Sequence, residues 1–133
     1  MIWFLLKCLE VVFIKIRVKG YLKNIADNEM FEIDEKAIMN KNKITFSSDN
    51  VKNIIKINDD AIILIREGSD FINTFVFNKD NSSCNYYLKE NNYDVDIEVK
   101  TINLDINDNY IYIKYLVVDS NSQYEYKLEM RNI

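Results

Sequence analysis

The chain has 133 residues and a mass of 15.8 kDa, which fits one domain that can bury a core without disulfides or metals. Its 48% hydrophobic and 29% charged residues argue against disorder and against a membrane span. A net charge of -4 and an isoelectric point near 4.9 argue against nucleic-acid binding, which usually needs a basic patch. The absence of His excludes serine or cysteine catalysis that depends on His, and it excludes metal sites with His ligands.

The composition also favours β-structure and restricts how the chain can turn. Nine Tyr and seven Phe suit the pleated, half-buried surface of a sheet. The chain has no Pro and only two Gly, so its turns must rely on Asn and Asp, which tolerate the left-handed conformation at modest cost. We therefore predict a sheet protein whose turns are rich in Asn and Asp.

Residues 1–9 form an apolar run that Glu10 interrupts. The run is shorter than the roughly twenty residues of a membrane span, and it lacks the basic start and the cleavage site of a signal peptide. Three interpretations remain: a short plug packed on one end of the domain, an oligomer contact, or an upstream extension from a misassigned start codon. We therefore divide the chain into an apolar leader, residues 1–11, and a single domain, residues 12–133.

The two cysteines indicate the cellular compartment. Cys8 and Cys84 lie far apart in the sequence and do not have the spacing of metal ligands. Since no cleavable signal precedes the domain, we expect two free thiols in the reducing environment of the cytoplasm. The sequence does not indicate an oligomeric state.

From residue 12 onward, apolar and polar residues alternate in short runs that polar turns separate, as is typical of antiparallel strands. The predicted strands are residues 12–21, 31–39, 43–47, 51–57, 61–65, 71–77, 84–89, 94–106, 110–118 and 124–131. The fifth strand is apolar at every position, so we expect it to be covered on both faces. In the turn after this strand, Gly68 is expected to have a positive φ. Within the eighth strand the apolar parity shifts after Thr101, as a bulge or bend would produce.

These ten strands predict an all-β domain, an antiparallel up-and-down meander that forms a closed or nearly closed barrel. A twisted open sheet of this size would leave two exposed edges, which closure removes. The outward face of the first strand is basic (Lys15, Arg17, Lys19), whereas that of the last strand carries Glu125 and Glu129. The opposite charges favour pairing of the two strands. No helix longer than about twelve residues is expected within residues 12–133.

The alternation also assigns side chains to the two faces of the sheet. The residues expected to be buried are Ile14, Ile16, Val18, Val95, Ile97, Ile111, Ile113, Tyr115, Leu128 and Met130. Asp94, Asp96 and Glu98 share the opposite parity in the eighth strand, so we interpret them as a solvated face and not as a pair of catalytic carboxylates.

Four parts of the chain carry the marks of a known family: residues 62–68, Tyr87, residues 94–101 and residues 110–115. The marks are a hydrophobic strand that ends in Arg-x-Gly and a later Ile-x-Ile-x-Tyr strand. Over about residues 14–131 the chain therefore resembles the YwiB-like family of small bacterial barrels of the calycin type. Near Tyr87 the chain departs from the family, because residues 89–93 replace a turn that contains glycine. The resemblance implies a lipocalin-like barrel without an established function, and it implies no catalytic residues.

The candidate site residues are Arg66, Phe71, Phe75, Tyr87 and Tyr115. Arg66 ends the most apolar strand, where a guanidinium could bind an anionic group at the barrel mouth. These aromatic residues, together with Phe77, Tyr124 and Tyr126, could line a ligand cavity, since a barrel of eight to ten strands has room for a small molecule. Two structural alternatives remain open: a salt bridge from Arg66 to Glu67, to Asp70 or to a neighbouring strand, and a lumen that the aromatic rings fill.

The sequence predicts no enzyme, no cofactor and no metal site. The segment 105–109 is similar to a calcium loop, but Tyr110 stands where that loop needs Gly and Leu116 where it needs Glu. Two functions remain: a barrel that binds a small apolar or anionic ligand, and a protein-interaction module that uses an outer strand face or the leader. A cavity above about 300 Å³ would favour the ligand, whereas a packed lumen with an exposed apolar patch would favour a protein partner.

Overall fold

The structure, a computed structural model, describes residues 13–133, and within this range every regular element is a β-strand. The strands are β1 Ile14–Asn24, β2 Glu29–Asn40, β3 Lys43–Ser48, β4 Val51–Ile57, β5 Ala61–Glu67, β6 Phe71–Asn78, β7 Ser83–Leu88, β8 Tyr93–Ile97, β9 Val99–Asn107, β10 Tyr110–Val117 and β11 Ser122–Asn132. Across the described residues no helix is long and apolar enough to cross a membrane. The three interpretations of the leader concern residues outside the described range.

All eleven strands belong to one antiparallel sheet with the order β8-β7-β6-β5-β4-β3-β2-β1-β11-β10-β9. This order is that of a meander whose first and last strands pair, and the sheet curls into a nearly closed barrel, as predicted. The strand number differs by one from the predicted ten, because the predicted strand 94–106 is divided at Glu98 into β8 and β9.

The division at Glu98 marks the seam of the barrel. β8 pairs antiparallel with β7, and β9 pairs antiparallel with β10, so residues 93–107 act as one kinked strand that joins the two ends of the sheet. At the kink, the Val118 amide donates a hydrogen bond to the Glu98 carbonyl at 3.0 Å. The hydroxyl oxygens of Ser82 and Thr101 approach to 2.5 Å across the seam. At the seam the hydrogen-bond ladder between neighbouring strands is interrupted. The kink at Glu98 and the side-chain contact therefore hold the barrel closed there.

The predicted irregularity after Thr101 is a bulge at Ile102. Lys114 of β10 lies opposite Asn103, but the next residue, Tyr115, lies opposite Thr101, so Ile102 has no partner and is exposed. An extra residue in one strand shifts the parity of those that follow, which explains the sequence pattern.

Charge predicted the pairing of β1 with β11 correctly. Lys19 lies opposite Glu129 and Lys23 lies opposite Glu125 on the outer face. Arg17 instead lies opposite Arg131, and its Nε donates to the Asp34 carboxylate of β2 at 2.6 Å. These exposed pairs contribute little stability individually, but they disfavour other registers.

An aromatic stack fills the middle of the barrel. The rings of Phe75 and Phe77 stack at 5.1 Å, and both approach Tyr115, at 5.5 and 5.0 Å. Tyr115 stacks in turn on Tyr124 at 5.3 Å. At this level of the barrel the aromatic rings therefore fill the lumen, which is the structural alternative given above.

Most of the predicted interior is buried, with two corrections. Ile16, Val18, Ile111, Ile113, Tyr115, Leu128 and Met130 are buried, and Ile97 is half-buried. Ile14 is 45% exposed because it is the first residue of β1, and Val95 is 37% exposed because β8 lies at the end of the sheet order. The expectation that β5 is covered on both faces is also wrong, since Ile63 and Ile65 on its outer face are only half-buried.

The acidic residues around the seam are exposed, as expected. Asp94 and Asp96 lie on β8, which has a strand partner on one side only, and Glu98 follows them at the kink. The Asn85 amide donates to the Asp96 carboxylate at 2.9 Å. Charges beside an unpaired strand edge discourage another chain from adding to the sheet.

Turns rely on Asn and Asp, as the composition indicates. Positive φ values occur at Asn28, Lys41, Asp49, Asn50, Asn92 and Asn121. Gly68, however, does not have a positive φ, which corrects the prediction for its turn. A Cβ at this position would lie 2.5 Å from the Phe71 ring, so the glycine provides room for that ring.

The β3–β4 turn offers a test of this turn chemistry. Asp49 and Asn50 have φ values of 52° and 64°, as in a type I′ hairpin turn, which favours Gly at the second position. We expect Asn50→Gly to raise the free energy of unfolding by about 0.5 kcal/mol and Asn50→Val to lower it by about 1–2 kcal/mol, because branched side chains clash at positive φ. Urea unfolding monitored by circular dichroism measures both values. A valine variant as stable as the wild type would contradict the prediction.

Candidate functional site

The wall of the barrel opens between β2 and β3. These strands pair only at Ile38–Thr45, Met39–Ile44 and Asn40–Lys43. Beyond this point β2 stays paired with β1, while β3 stays paired with β4. The two strand pairs therefore diverge and leave a gap, here called the β2–β3 opening.

A pocket of about 300 Å³ lies in this opening and is here called the Arg66 pocket. Its apolar lining comes from Leu22, Phe31, Ile33 and Val51. Its polar lining comes from Glu32, Ser48, Asp49, Asn53, Arg66 and Tyr126. The pocket thus combines an apolar wall with charged groups of both signs.

Arg66 belongs to the inward face of β5. It shares its parity with Ile62 and Leu64, which are both buried, and it lies opposite the buried Asn53 of β4. The side-chain amide of Asn53 donates to the Val51 carbonyl at 3.1 Å, which fixes this part of the pocket wall. Arg66 is itself half-buried, so its charge is partly removed from water.

The guanidinium of Arg66 has no salt-bridge partner within residues 13–133. The predicted alternative, a bridge to Glu67, Asp70 or a neighbouring strand, is wrong, and Glu67 accepts a hydrogen bond from Lys89 Nζ at 2.8 Å instead. Parity explains the difference, because Glu67 follows Arg66 directly and so points to the outer face of the sheet. A half-buried guanidinium that lacks a carboxylate partner favours anionic ligands.

Tyr126 supplies a second polar group to the pocket. The residue is 2% exposed, and its hydroxyl has no hydrogen-bond partner among the described residues. Burial raises the pKa of Tyr126 above its ordinary value, while the Arg66 charge opposes this shift to a smaller extent. The hydroxyl therefore stays protonated at neutral pH and can donate to a ligand. Leaving such a buried group unpaired costs about 1–3 kcal/mol, which an acceptor in the pocket would recover.

The other predicted site residues divide into three environments. Phe71 is half-buried and stacks on Tyr86 at 5.6 Å. Phe75 and Tyr115 are buried in the aromatic stack. Tyr87 lies on the outer face, where its hydroxyl donates to Asn92 Oδ1 at 2.5 Å.

The structure thus places Arg66 in a pocket with Tyr126, one of the aromatic residues considered for a cavity, and apart from Phe71, Phe75, Tyr87 and Tyr115. Asn53 was not selected, although it is a polar residue at the inward parity of an otherwise apolar strand, and that pattern is the signal that could have identified it. Glu32 and Asp49 gave no comparable signal, because exposed carboxylates are common beside strands and in turns.

A family model described as "Domain of unknown function (DUF1934)" matches residues 16–130. The chain belongs to the DUF1934 family. Its structure is similar to one described as the crystal structure of ywiB protein from Bacillus subtilis, with a TM-score of 0.61 and 15% sequence identity over 90% of each chain. At this identity the similarity shows the fold of the DUF1934 domain, and it confirms the predicted relation to YwiB. No curated protein matches the sequence.

Proposed function

We propose that this DUF1934 domain binds a small apolar ligand with an anionic group in the Arg66 pocket and catalyses no reaction. The observation that carries the proposal is the presence in one pocket of the Arg66 guanidinium, which has no salt-bridge partner within residues 13–133, and the buried Tyr126 hydroxyl, which has no hydrogen-bond partner there. Both groups donate hydrogen bonds, and charge-assisted bonds from arginine are the stronger kind. A carboxylate or a similar anion is the acceptor that satisfies both.

The shape of the interior supports a ligand that enters from the side. The aromatic stack of Phe75, Phe77 and Tyr115 closes the lumen, whereas the β2–β3 opening exposes the Arg66 pocket to solvent. Its volume of about 300 Å³ is at the lower limit for ligand pockets, so the ligand is small.

The groups in the pocket favour binding over catalysis. Tyr126 is held protonated by burial, so it does not serve as a base near pH 7. Glu32 and Asp49 are exposed, and the chain has no His to take their place as a base. Ligand binding needs only the apolar wall and the two donors.

A protein-interaction surface is the second candidate, and the filled lumen together with an apolar groove on the outer face, the combination expected above for a protein partner, favours it. This groove has a volume of about 690 Å³ and lies beside the β2–β3 pairing. Its lining includes the exposed Ile38 and Ile133 together with Lys15, Lys36 and Lys52. Exposed apolar side chains among lysines suit an acidic partner surface.

We expect the purified protein to bind 3-phenylpropionate, and we expect Arg66→Ala to weaken this binding about tenfold or more, since the variant removes the charged donor. Chemical-shift perturbation in NMR titrations measures the affinity and locates the site. Arg131→Ala is the matched control, because Arg131 is exposed on β11 and does not line the Arg66 pocket. If folded Arg66→Ala binds as tightly as the wild type, the proposal fails and the protein-interaction function is favoured.

A further inference from the structure

The β2–β3 opening leaves part of a strand edge without a partner. β2 pairs with β1 over residues 29–39, but it pairs with β3 only over residues 38–40. Asn40 and Lys43 close a two-residue hairpin loop, so their backbone groups bond to each other, and every second residue of β2 directs its backbone groups the same way. The residues that thus face the opening are Glu32, Asp34 and Lys36. Among the described residues, their N–H and C=O groups have no backbone partner on this side.

This unpaired edge runs from one cavity to another. The Arg66 pocket lies at its wide end, beside residues 31–33 of β2. The groove of about 690 Å³ on the outer face lies at its narrow end, beside residues 36–38. At a rise of about 3.3 Å per residue, the four steps from Glu32 to Lys36 span about 13 Å. An extended segment of about five residues therefore reaches from the groove to the pocket.

We infer that the ligand of the Arg66 pocket is the C-terminal residue of an extended peptide, which adds a strand to the free edge of β2. The inference rests on the proposed function, and it names the kind of molecule that carries the anionic group. The terminal carboxylate binds the Arg66 guanidinium and the Tyr126 hydroxyl, while the terminal side chain contacts the apolar wall. Because the pocket lies at the start of β2, the peptide runs antiparallel to this strand.

The unpaired backbone groups favour a peptide over an isolated acid. A small carboxylic acid satisfies Arg66 and Tyr126, but it leaves the edge of β2 without a partner. A peptide has its own N–H and C=O groups at the spacing of a strand, so it satisfies the edge and the pocket together. A pocket of about 300 Å³ holds the terminal residue, and the residues before it lie along the edge.

The groove at the narrow end affects which peptides bind well. Lys15, Lys36 and Lys52 line it, and its lining in the described part of the chain includes no acidic residue. Acidic residues four or five positions before the C-terminus of the peptide would therefore lie near positive charge. Water screens these exposed lysines, so we expect a gain of about threefold in affinity.

Four probes separate the carboxylate, the strand and the upstream charge. The first is the acetylated hexapeptide Glu-Asp-Thr-Val-Thr-Phe with a free C-terminal carboxylate. Its C-terminal amide lacks the carboxylate, N-acetylphenylalanine lacks the strand, and the acetylated hexapeptide Lys-Lys-Thr-Val-Thr-Phe reverses the upstream charge. NMR titration of the full chain at pH 7 measures all four affinities.

We expect the first hexapeptide to bind about tenfold or more tightly than its amide and than N-acetylphenylalanine, because each lacks one set of hydrogen bonds. We expect it to bind about threefold more tightly than the peptide that begins with two lysines.

Amide hydrogen exchange shows whether the peptide adds a strand to β2. On saturation with the first hexapeptide, the amides of Glu32, Asp34 and Lys36 should exchange about tenfold or more slowly. The amides of Ile33 and Glu35 are the internal control, because they face β1 and are already paired. Protection of alternate residues is the signature of strand addition, and a ligand confined to the pocket would not produce it.

Two variants assign the effects to the named side chains. Arg66→Ala should weaken the free-acid hexapeptide about tenfold or more and leave its amide unchanged, whereas Arg131→Ala, outside the pocket, should change neither. Lys36→Glu should abolish the preference for the acidic hexapeptide over the lysine hexapeptide. Lys100→Glu is its control, because Lys100 is exposed on β9 and does not line the groove.

The outcomes distinguish the two levels of the argument. The peptide is ruled out, while the proposed function stands, if N-acetylphenylalanine binds as tightly as the first hexapeptide. It is also ruled out if the three amides facing the opening are unprotected at saturation, or are already protected in the free protein. Hexapeptide binding that Arg66→Ala leaves unchanged would place the peptide elsewhere and overturn both proposals. If no free acid binds the wild type, the proposed function fails and the inference fails with it.

Discussion

Gly20→Ala should destabilise the barrel by about 3 kcal/mol or more, at or above the upper end of the usual cost of overpacking. A Cβ on Gly20 would lie 1.8 Å from the Lys127 carbonyl oxygen and 2.7 Å from its carbon. Both atoms belong to the backbone of β11, so no side-chain rotation relieves the clash. The variant can fold only if β1 and β11 move apart, which weakens the pairing of these two strands.

Urea unfolding monitored by far-ultraviolet circular dichroism tests this expectation. Gly68→Ala is the matched control, since its Cβ would meet the Phe71 ring, a side chain that can rotate, at 2.5 Å. We expect the control to lose less stability than Gly20→Ala. A Gly20→Ala protein with the unfolding midpoint of the wild type would show that β1 and β11 separate at no cost, contrary to the packing described above.

The predicted strands came mainly from local pattern, which is why they agree so well with the fold. Alternation places Ile111, Ile113 and Leu128 on the buried face without any knowledge of their partners. Opposite charges on the first and last strands even indicated a pairing between distant segments. The alternation and the charge pattern both predict the fold correctly because side chains in a strand point to opposite faces with a fixed period of two residues.

The features that sequence could not supply depend on which strand lies beside which. Residues 93–107 have one continuous strand pattern, and only the change of partner from β7 to β10 divides them at Glu98. Tyr86 and Tyr87 are adjacent tyrosines, so the register with β6 decides that Tyr86 faces inward. The importance of Gly20 likewise arises from the close approach of β11.

The candidate site likewise combines a residue that local sequence pattern predicts with an environment that depends on neighbouring strands. Arg66 was predictable because it ends an apolar strand, and that reasoning needs no tertiary structure. Its lack of a salt-bridge partner and its place beside Tyr126 follow from the short β2–β3 pairing, which leaves the barrel wall open at this point. A pocket that forms where two strands diverge has no periodic signature in either strand.

The aromatic stack should provide the largest side-chain contribution to stability, and Phe77→Ala is expected to lower the free energy of unfolding by about 3–5 kcal/mol. Phe77 is completely buried, stacks on Phe75 and contacts the tilted ring of Tyr115, so the truncation leaves a cavity that rigid neighbouring strands cannot fill. Phe31→Ala is the matched control, since Phe31 is 61% exposed and should change stability by less than about 0.5 kcal/mol. Urea unfolding of both variants measures the difference. A loss below about 1 kcal/mol for Phe77→Ala would mean that the barrel collapses around the missing ring, and that the lumen is not held closed by the stack.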